Sequence, residues 1–455
     1  MCPRRGFGIL LTMKFHKFVV LFVMTVWSVQ AFGSGFALYQ PSVISHAMGG
    51  ALVGRAMDAS ANFNNPATLT DLTNIWVTLG FVTEHPRGSV RGRTNFASWG
   101  EDQTMDPGFF SLPHFQLAIP LPADFVFGFG ATADYGLGTH YADTWRMNWN
   151  VRETTVQGFV LTPNLAYKLT DKWSVGAGLR WLFFDFEQYS DPYVVQSGVN
   201  YGRFQNRLKG DNDWKSLGWQ IGTKYDVTDT FSVGLVYKSA IDVTVKGKTA
   251  NVPVAYNYSI VPSYLMALSP AMYYTKRAEL MQMVNAAARS RTGSAEADLT
   301  LPQSLTAGCN WDVTESWHLG AALSWTQWSQ FDVLHFDLQG GDKDTRLNWR
   351  DTWRGSIGSC WDFAEDWKWM ISYVYDMDCT DVHQESAMLP PADRHIAATG
   401  FVWNCWANLD LALSYSCIFM DGRGMDTTDP MGNWYHLETC RGFCHAVGFN
   451  VTYRF

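Results

Sequence analysis

Tyr167-Lys168-Leu169-Thr170-Asp171-Lys172-Trp173 is a short polar turn held between two aromatic residues, and its build returns along the chain. Tyr225-Asp226-Val227-Thr228-Asp229-Thr230-Phe231, Trp311-Asp312-Val313-Thr314-Glu315-Ser316-Trp317 and Trp361-Asp362-Phe363-Ala364-Glu365-Asp366-Trp367 repeat it, and Trp403 to Ala407 carries a looser copy. Each copy joins two runs of alternating sequence, which is the signal of a β-hairpin. Rings at both shoulders suit strand ends at a membrane–water boundary, where an amphipathic ring settles. One such turn decides nothing. Four or five of one build point to an up-and-down β-barrel in a membrane.

The strands on either side keep a strict phase. Trp173, Val175, Ala177, Leu179, Trp181 and Phe183 share one face, and Ser174, Gly176, Gly178 and Arg180 take the other. After Phe231, Val233, Leu235 and Tyr237 oppose Ser232, Gly234 and Lys238. At the C-terminus Val447, Phe449, Val451, Tyr453 and Phe455 oppose Gly448, Asn450, Thr452 and Arg454. A soluble sandwich alternates in the same way, so the aromatic cap at the turn end is what favours lipid.

Runs of this kind lie near 74–84, 112–121, 124–135, 154–168, 173–187, 214–227, 231–246, 301–312, 317–333, 345–362, 367–380, 393–403, 406–420 and 443–455. They make an all-β, 14-stranded antiparallel transmembrane barrel, an even number that leaves both termini on one side. Closure is required because lipid offers an open sheet edge no hydrogen-bond partner. The ends opposite the short turns carry long segments at 85–111, 188–213, 247–300 and 421–442, expected as external loops. Within them, Pro270 to Arg291 has helical character, with Met272, Leu280, Met281, Met283 and Val284 among alanines and charges. It reads either as an adaptable apolar surface or as a loop helix packed on its neighbours.

Bulk composition agrees. In 455 residues, 15% are aromatic and 21 are Trp, more than a soluble sandwich has use for and what two girdles require. A formal charge of −8 offers no basic face, so no nucleic-acid partner is expected. No apolar run after residue 31 approaches the ~18 residues of a transmembrane helix. Lys14, His16 and Lys17 precede the apolar stretch Phe18 to Trp27, and Val29-Gln30-Ala31 offers a cleavage site. The expected division is therefore a signal peptide over 1–31, an insert over 32–72 that lacks strand alternation, and the barrel over 73–455. Export with β-periodicity places the chain in the outer membrane of a Gram-negative bacterium.

Enzyme signals are poor. Gly128-Phe129-Gly130-Ala131-Thr132-Ala133 imitates a dinucleotide fingerprint but lies in a strand with no helix after it. Its glycines read better as lumen-facing positions. His436, Cys440, Cys444 and His445 are permissive for zinc, yet loop residues or a Cys440–Cys444 disulfide are preferred, and no cofactor or metal is expected. HExxH and a lipase-like GxSxG are absent from the sequence. Arg180, Lys238, Arg350, Arg354 and Arg394 are lumen cations able to fix a carboxylate, or alternatively to pair with acids of the insert and neighbouring strands.

Several segments together resemble a family. Gly35-Phe36-Ala37-Leu38, then Asn65-Pro66-Ala67, Asp134-Tyr135-Gly136-Leu137-Gly138-Thr139, Leu301-Pro302-Gln303-Ser304, Trp325 to Phe331, Trp349 to Gly358 and Leu389 to Arg394 run in the order seen in outer-membrane long-chain fatty acid transporters of the FadL kind, which include aromatic-hydrocarbon importers. The resemblance covers nearly the whole chain beyond the signal. It implies a barrel plugged by an N-terminal hatch at 32–72, with apolar capture between the loops 188–213 and 247–300. It further implies a moving tip at Phe36 and Leu38, a hatch motif at Asn65, Pro66 and Ala67, and a lateral gap where Tyr135, Gly136 and Leu137 kink the third strand. Passive uptake of a long-chain fatty acid or similar hydrophobe follows, with aromatic-hydrocarbon import the alternative. A phospholipase or a polar-solute porin is a weaker one, since no esterase motif is present and the insert obstructs an open channel. The implied surroundings are outer-membrane lipid and lipopolysaccharide, barrel-assembly machinery that reads the terminal Phe455, and a monomeric state.

Overall fold

The computed structural model describes residues 35–95, 98–99, 102–105, 108–142, 145–339 and 341–455. The expected signal segment 1–31 lies outside them. Fourteen antiparallel strands close on themselves. The first five are β1 (Trp76–Thr94), β2 (Phe110–Pro120), β3 (Phe125–His140), β4 (Glu153–Lys168) and β5 (Trp173–Ser190). The next five are each broken once: β6 (Val199–Asn212, Leu217–Asp226), β7 (Phe231–Lys238, Ile241–Tyr256), β8 (Gly293–Leu301, Ser304–Thr314), β9 (Trp317–Thr326, Val333–Leu338) and β10 (Lys343–Arg346, Thr352–Ala364). Then come β11 (Trp367–Asp376), β12 (Ala392–Trp406), β13 (Leu409–Gly422, continued by Gly424–Thr428) and β14 (Trp434–Arg454). Closure is made by β14 against β1, in register from Trp76↔Arg454 to Thr94↔Tyr435.

The repeated aromatic turns are the hairpins β4–β5, β6–β7, β8–β9, β10–β11 and β12–β13. Local chemistry sets them: Leu169 N donates to Trp173 O at 2.8 Å and Thr228 N to Phe231 O at 3.1 Å, while the Thr hydroxyls bond turn amides. Outward positions carry the exposed Leu, Ile and aromatic side chains, such as Leu179, Leu323 and Ile357, whereas the alternate positions Ser174, Arg180 and Ser232 are buried in the lumen. An apolar outside around a polar inside is the arrangement that lipid demands. No helix of the described residues is long and apolar enough to cross a membrane.

The expected loops 188–213 and 421–442 are largely sheet, and 247–300 is sheet at both ends. Over 247–300 the strands β7 and β8 continue to Tyr256 and from Gly293, around two helices, α1 (Tyr264–Leu268) and α2 (Pro270–Ser290). Over 421–442, β13 and β14 run almost to their turn. Beyond the lipid a strand needs no apolar face, so the period-2 signal fades although pairing continues. Cys440 and Cys444 consequently sit on one extended strand, too far apart to bridge. All cysteines of the described residues are free thiols.

Residues 35–72 fill the lumen. A short helix, α3 (Val43–Ala47), is capped by Ser42, whose Oγ accepts from Ser45 N at 3.1 Å. It leans on β13, where His46 Nδ1 and Nε2 meet Ser414 and Ser416 Oγ at 2.9 and 2.8 Å. Burial, with nearby His114 adding to it, holds this imidazole at a pKa of about 4. A second short helix, α4 (Ala61–Asn64), leads into a 3-10 turn, Pro66–Asp71. Inward-facing glycines make the room. A methyl on Gly128 would strike Asn62 and Leu69, one on Gly176 would strike Pro66, and one on Gly222 would strike Asn65. At the short-turn end, Arg55 pairs with Asp312 and Lys224 with Asp71, pinning the segment to the wall.

Candidate functional site

The ladder between β2 and β3 runs from Pro120↔Val126 only as far as His114↔Thr132. From there to His140, β3 stays paired with β4 alone, and its register slips between Ala133 and Tyr135. Asp134 is thus the extra residue of a bulge, which bends the strand. The backbone groups left without β2 are taken by the N-terminal segment: Asp134 O accepts from Leu38 N at 2.8 Å and Gly136 N donates to Phe36 O at 2.8 Å. Ala37 and Tyr135 form an antiparallel bridge. At this opening the wall is completed by residues 36–38 rather than by its own strand. Leu137 is fully buried in the same apolar cluster as Phe36.

Phe36 is itself fully buried, in an aromatic box. Its ring centroid lies 4.9 Å from Trp328, 5.2 Å from Phe331, 5.9 Å from Trp349 and 6.0 Å from Tyr135. Trp328 and Phe331 come from the break in β9 and Trp349 from the break in β10, where the chain turns inward instead of continuing the sheet. Such edge-to-face pairs each add about 0.5–1.5 kcal/mol beyond burial.

Cavities lie on both sides of this box. Toward the long-loop end, a narrow apolar one is lined by Phe36, Val156, Phe184, Phe186, Leu208, Leu334, Phe336 and their neighbours. Deeper in the barrel, one is lined by Ala37, Leu38, Phe63, Asp134, Tyr135, Arg180, Lys238, Arg354 and several hydroxyl residues. A third shares Ala37, Leu38, Tyr39 and Arg354 and reaches His46, Glu84, Asp376 and Arg394. Residues 36–39 are the partition between an apolar antechamber and two polar chambers.

The middle chamber is cationic. Arg180 Nη2 bonds Asp134 Oδ2 at 3.2 Å and Tyr135 Oη at 3.3 Å, and Nη1 bonds Ser239 O at 3.4 Å. Lys238 Nζ sits 3.2 Å above the Phe63 ring, and the Arg354 guanidinium stacks 4.3 Å from Tyr39 while donating to Gly49 O at 3.1 Å. Among the lining residues the guanidinium groups of Arg180 and Arg354, with Lys238 beside them, face the single acid Asp134. Buried charge without a counterion is costly, so this chamber favours an anion.

The expected site residues therefore fall into groups. Phe36, Leu38, Tyr135, Gly136, Leu137, Arg180, Lys238 and Arg354 converge on the partition and its chamber. Arg394 lies in the third chamber, 3.7 Å from Asp376. Arg350 is outside all three linings, its Nε donating to Asp378 O at 3.4 Å. Asn65, Pro66 and Ala67 lie away from the partition and hold the segment's fold: Asn65 Nδ2 donates to Val53 O at 2.7 Å and Thr223 O at 3.0 Å, and its Oδ1 accepts from Ala67 N at 3.0 Å. Asp134, Trp328, Phe331 and Trp349 stand in segments that carry the resemblance, yet the sequence reading gave them no site role. An Asp inside a strand is a signal for the first; nothing local marks the other three. Among the described residues no cluster of His, Cys, Asp and Glu is arranged to hold a metal ion.

Comparison with known proteins gives a consistent result. A family model described as outer membrane protein transport protein (OMPP1/FadL/TodX) matches residues 24–455. A long-chain fatty acid transport protein of Escherichia coli O6:H1 is 24% identical over 470 residues, covering 97% of this chain and 99% of the relative. Outer membrane protein P1 of Haemophilus influenzae is 21% identical over 383 residues, with 77% and 76% covered. Among solved structures, a Pseudomonas aeruginosa FadL homologue superposes with a TM-score of 0.75 at 18% identity, covering 94% of this chain and 100% of its own. The Ralstonia pickettii toluene transporter TbuX gives 0.61 at 16% identity, with 93% and 99% covered.

Proposed function

The chain belongs to the OMPP1/FadL/TodX family of outer membrane transport proteins, and on that premise we propose that it takes up long-chain fatty acids or closely similar hydrophobic carboxylates. It is an outer-membrane barrel. Cargo enters the apolar antechamber from the outside, where each Å² of buried chain contributes about 25 cal/mol. Its carboxylate is drawn toward Arg180, Lys238 and Arg354. As the head group takes Arg180, Asp134 loses a partner that holds the bulge, and the tip at Phe36–Leu38 withdraws from β3. The opening so uncovered lies in the wall, beside lipid, and the cargo leaves sideways.

The observation that carries this reading is the double role of residues 36–38, which separate the chambers and also complete the wall at the β2–β3 opening. The division into a signal at 1–31, a hatch at 32–72 and a barrel from 73 belongs to it. So do a monomeric state and recognition of Phe455 during assembly. The ion pairs Arg55–Asp312 and Lys224–Asp71 support a hatch whose body stays while its tip moves. The reading assigns no catalytic residue. Import of an aromatic hydrocarbon is the second reading, favoured by the flat faces around Phe36; the surplus of buried cations argues for a carboxylate instead.

The test is parallel binding of oleate and toluene to the purified barrel, with ester hydrolysis and sugar conductance as controls. Oleate binding that falls about tenfold or more in Arg180→Gln, with toluene binding unchanged, supports a carboxylate carrier. Equal affinity of both ligands in both proteins contradicts it, and ester cleavage or a large open conductance contradicts transport of this kind.

A further inference from the structure

The outer wall from β7 to β13, and on to β14 and β1 beside it, carries a feature that transport does not use. A shallow concavity crosses this lipid-facing surface from Phe231 and Trp311, on β7 and β8, to β13, where Ile371, Tyr373, Tyr415 and Phe419 form its rim and the small Ala397 and Cys417 its floor. Tyr373, Ala397, Cys417, His445 and His85 are successive register partners from β11 round to β1. The floor therefore runs directly into a pair of imidazoles, and strand tilt lifts that end toward the outer leaflet.

The hydrogen bonds at this end fix what it presents. Tyr415 Oη lies 2.8 Å from His445 Nδ1, and Tyr373 Oη 2.6 Å from His395 Nδ1. A phenol is the natural donor in such a pair, which makes Nδ1 the acceptor and leaves the ring proton on Nε2. Arg87, exposed two residues beyond His85, donates Nε to His85 Nε2 at 3.3 Å. Further out on β1 the basic column continues with Arg91, which is taken by Asp102 at 2.8 Å, and Arg93, 5.5 Å over Trp434. Below this level the outward residues of β1 are Thr83, Phe81, Leu79 and Val77. Cationic donors thus begin where the apolar band ends.

We propose that this wall holds one molecule of the phosphorylated, acylated glycolipid of the outer leaflet. An acyl chain lies in the groove over Ala397 and Cys417, and a phosphate is held by the Arg87 guanidinium and the Nε2–H of His445. The two halves of the site match the two halves of that lipid, and a chain docked at this height has its phosphate at the head-group level. The inference depends on the outer-membrane location alone, not on the cargo.

Delipidated barrel is titrated with bisphosphorylated lipid A, with the same lipid after removal of its phosphates, and with phosphatidylglycerol, each followed by native mass spectrometry. Tightest binding is expected for the bisphosphorylated lipid. About tenfold weakening is expected on dephosphorylation and in the double variant Arg87→Gln, His445→Gln. Ala397→Trp, which fills the groove, weakens all lipid A forms but leaves the phosphate preference intact. Oleate binding, which reports the lumen, stays unchanged in every variant and certifies the fold. Equal affinity for phosphatidylglycerol, or wild-type binding by both the donor and the groove variants, overturns the proposal.

Discussion

Asp134 shows how much one residue can hold. Its carboxylate takes Arg180 and the Thr132 hydroxyl, at 3.2 and 2.6 Å, while its carbonyl binds the tip through Leu38 N. Removing one partner of a buried ion pair costs about 3–5 kcal/mol. Asp134→Asn therefore loosens the tip and leaves Arg180 open to a ligand: oleate is expected to bind more tightly, with toluene unaffected, and titration of both ligands checks it. Phe36→Ala removes about 3–5 kcal/mol of ring packing. Maleimide labelling of a cysteine placed at Ala37 should then accelerate at least about tenfold, and an unchanged rate would mean that the aromatic box does not secure the tip. The weight of Asp134 was not readable from the chain alone. Phe36 and Gly136 stood out through resemblance, but a bulge leaves no hydrophobic trace, so Asp134 passed as one more strand position.

At the scale of elements, the hatch is held by complementary shape and by one buried imidazole. Gly222 faces Asn65 with no room for a methyl, whereas nothing lies near Gly355. Gly222→Ala should displace the Asn65–Pro66–Ala67 turn and raise single-channel conductance, with Gly355→Ala silent in the same bilayer recording. His46 ties docking to pH. A solvated imidazole titrates near 6.5, the docked one near 4. Below about pH 6.5 the released segment binds a proton that the docked one refuses, so the contribution of His46 to docking is fully present above that value and is lost as pH falls toward 4. Protease sensitivity of the hatch should rise across that window, and His46→Gln should flatten the dependence. Hairpin turns were legible because a polar turn between rings is local chemistry. The outer parts of β1, β6, β7, β8, β13 and β14 were not, because strands standing in water have no apolar face to betray them. The inward folds at Trp328 and Trp349 depend on what fills the lumen, which no local pattern records.

For the whole molecule, strand number, closure and the apolar exterior followed from period-2 alternation, since lipid allows few other solutions. What the alternation could not show is the opening between β2 and β3, because it arises from a missing partner rather than from any residue's own preference. The account stands on residues 36–38 being a removable part of the wall. In a background cleared of its native cysteines, Ala37→Cys with Tyr135→Cys joins two bridge partners close enough for a disulfide. Oleate uptake by cells carrying this pair is the direct measurement. Oxidation should stop uptake while oleate still binds at the outside, and reduction should restore it; undiminished uptake with the bridge closed would contradict the lateral route.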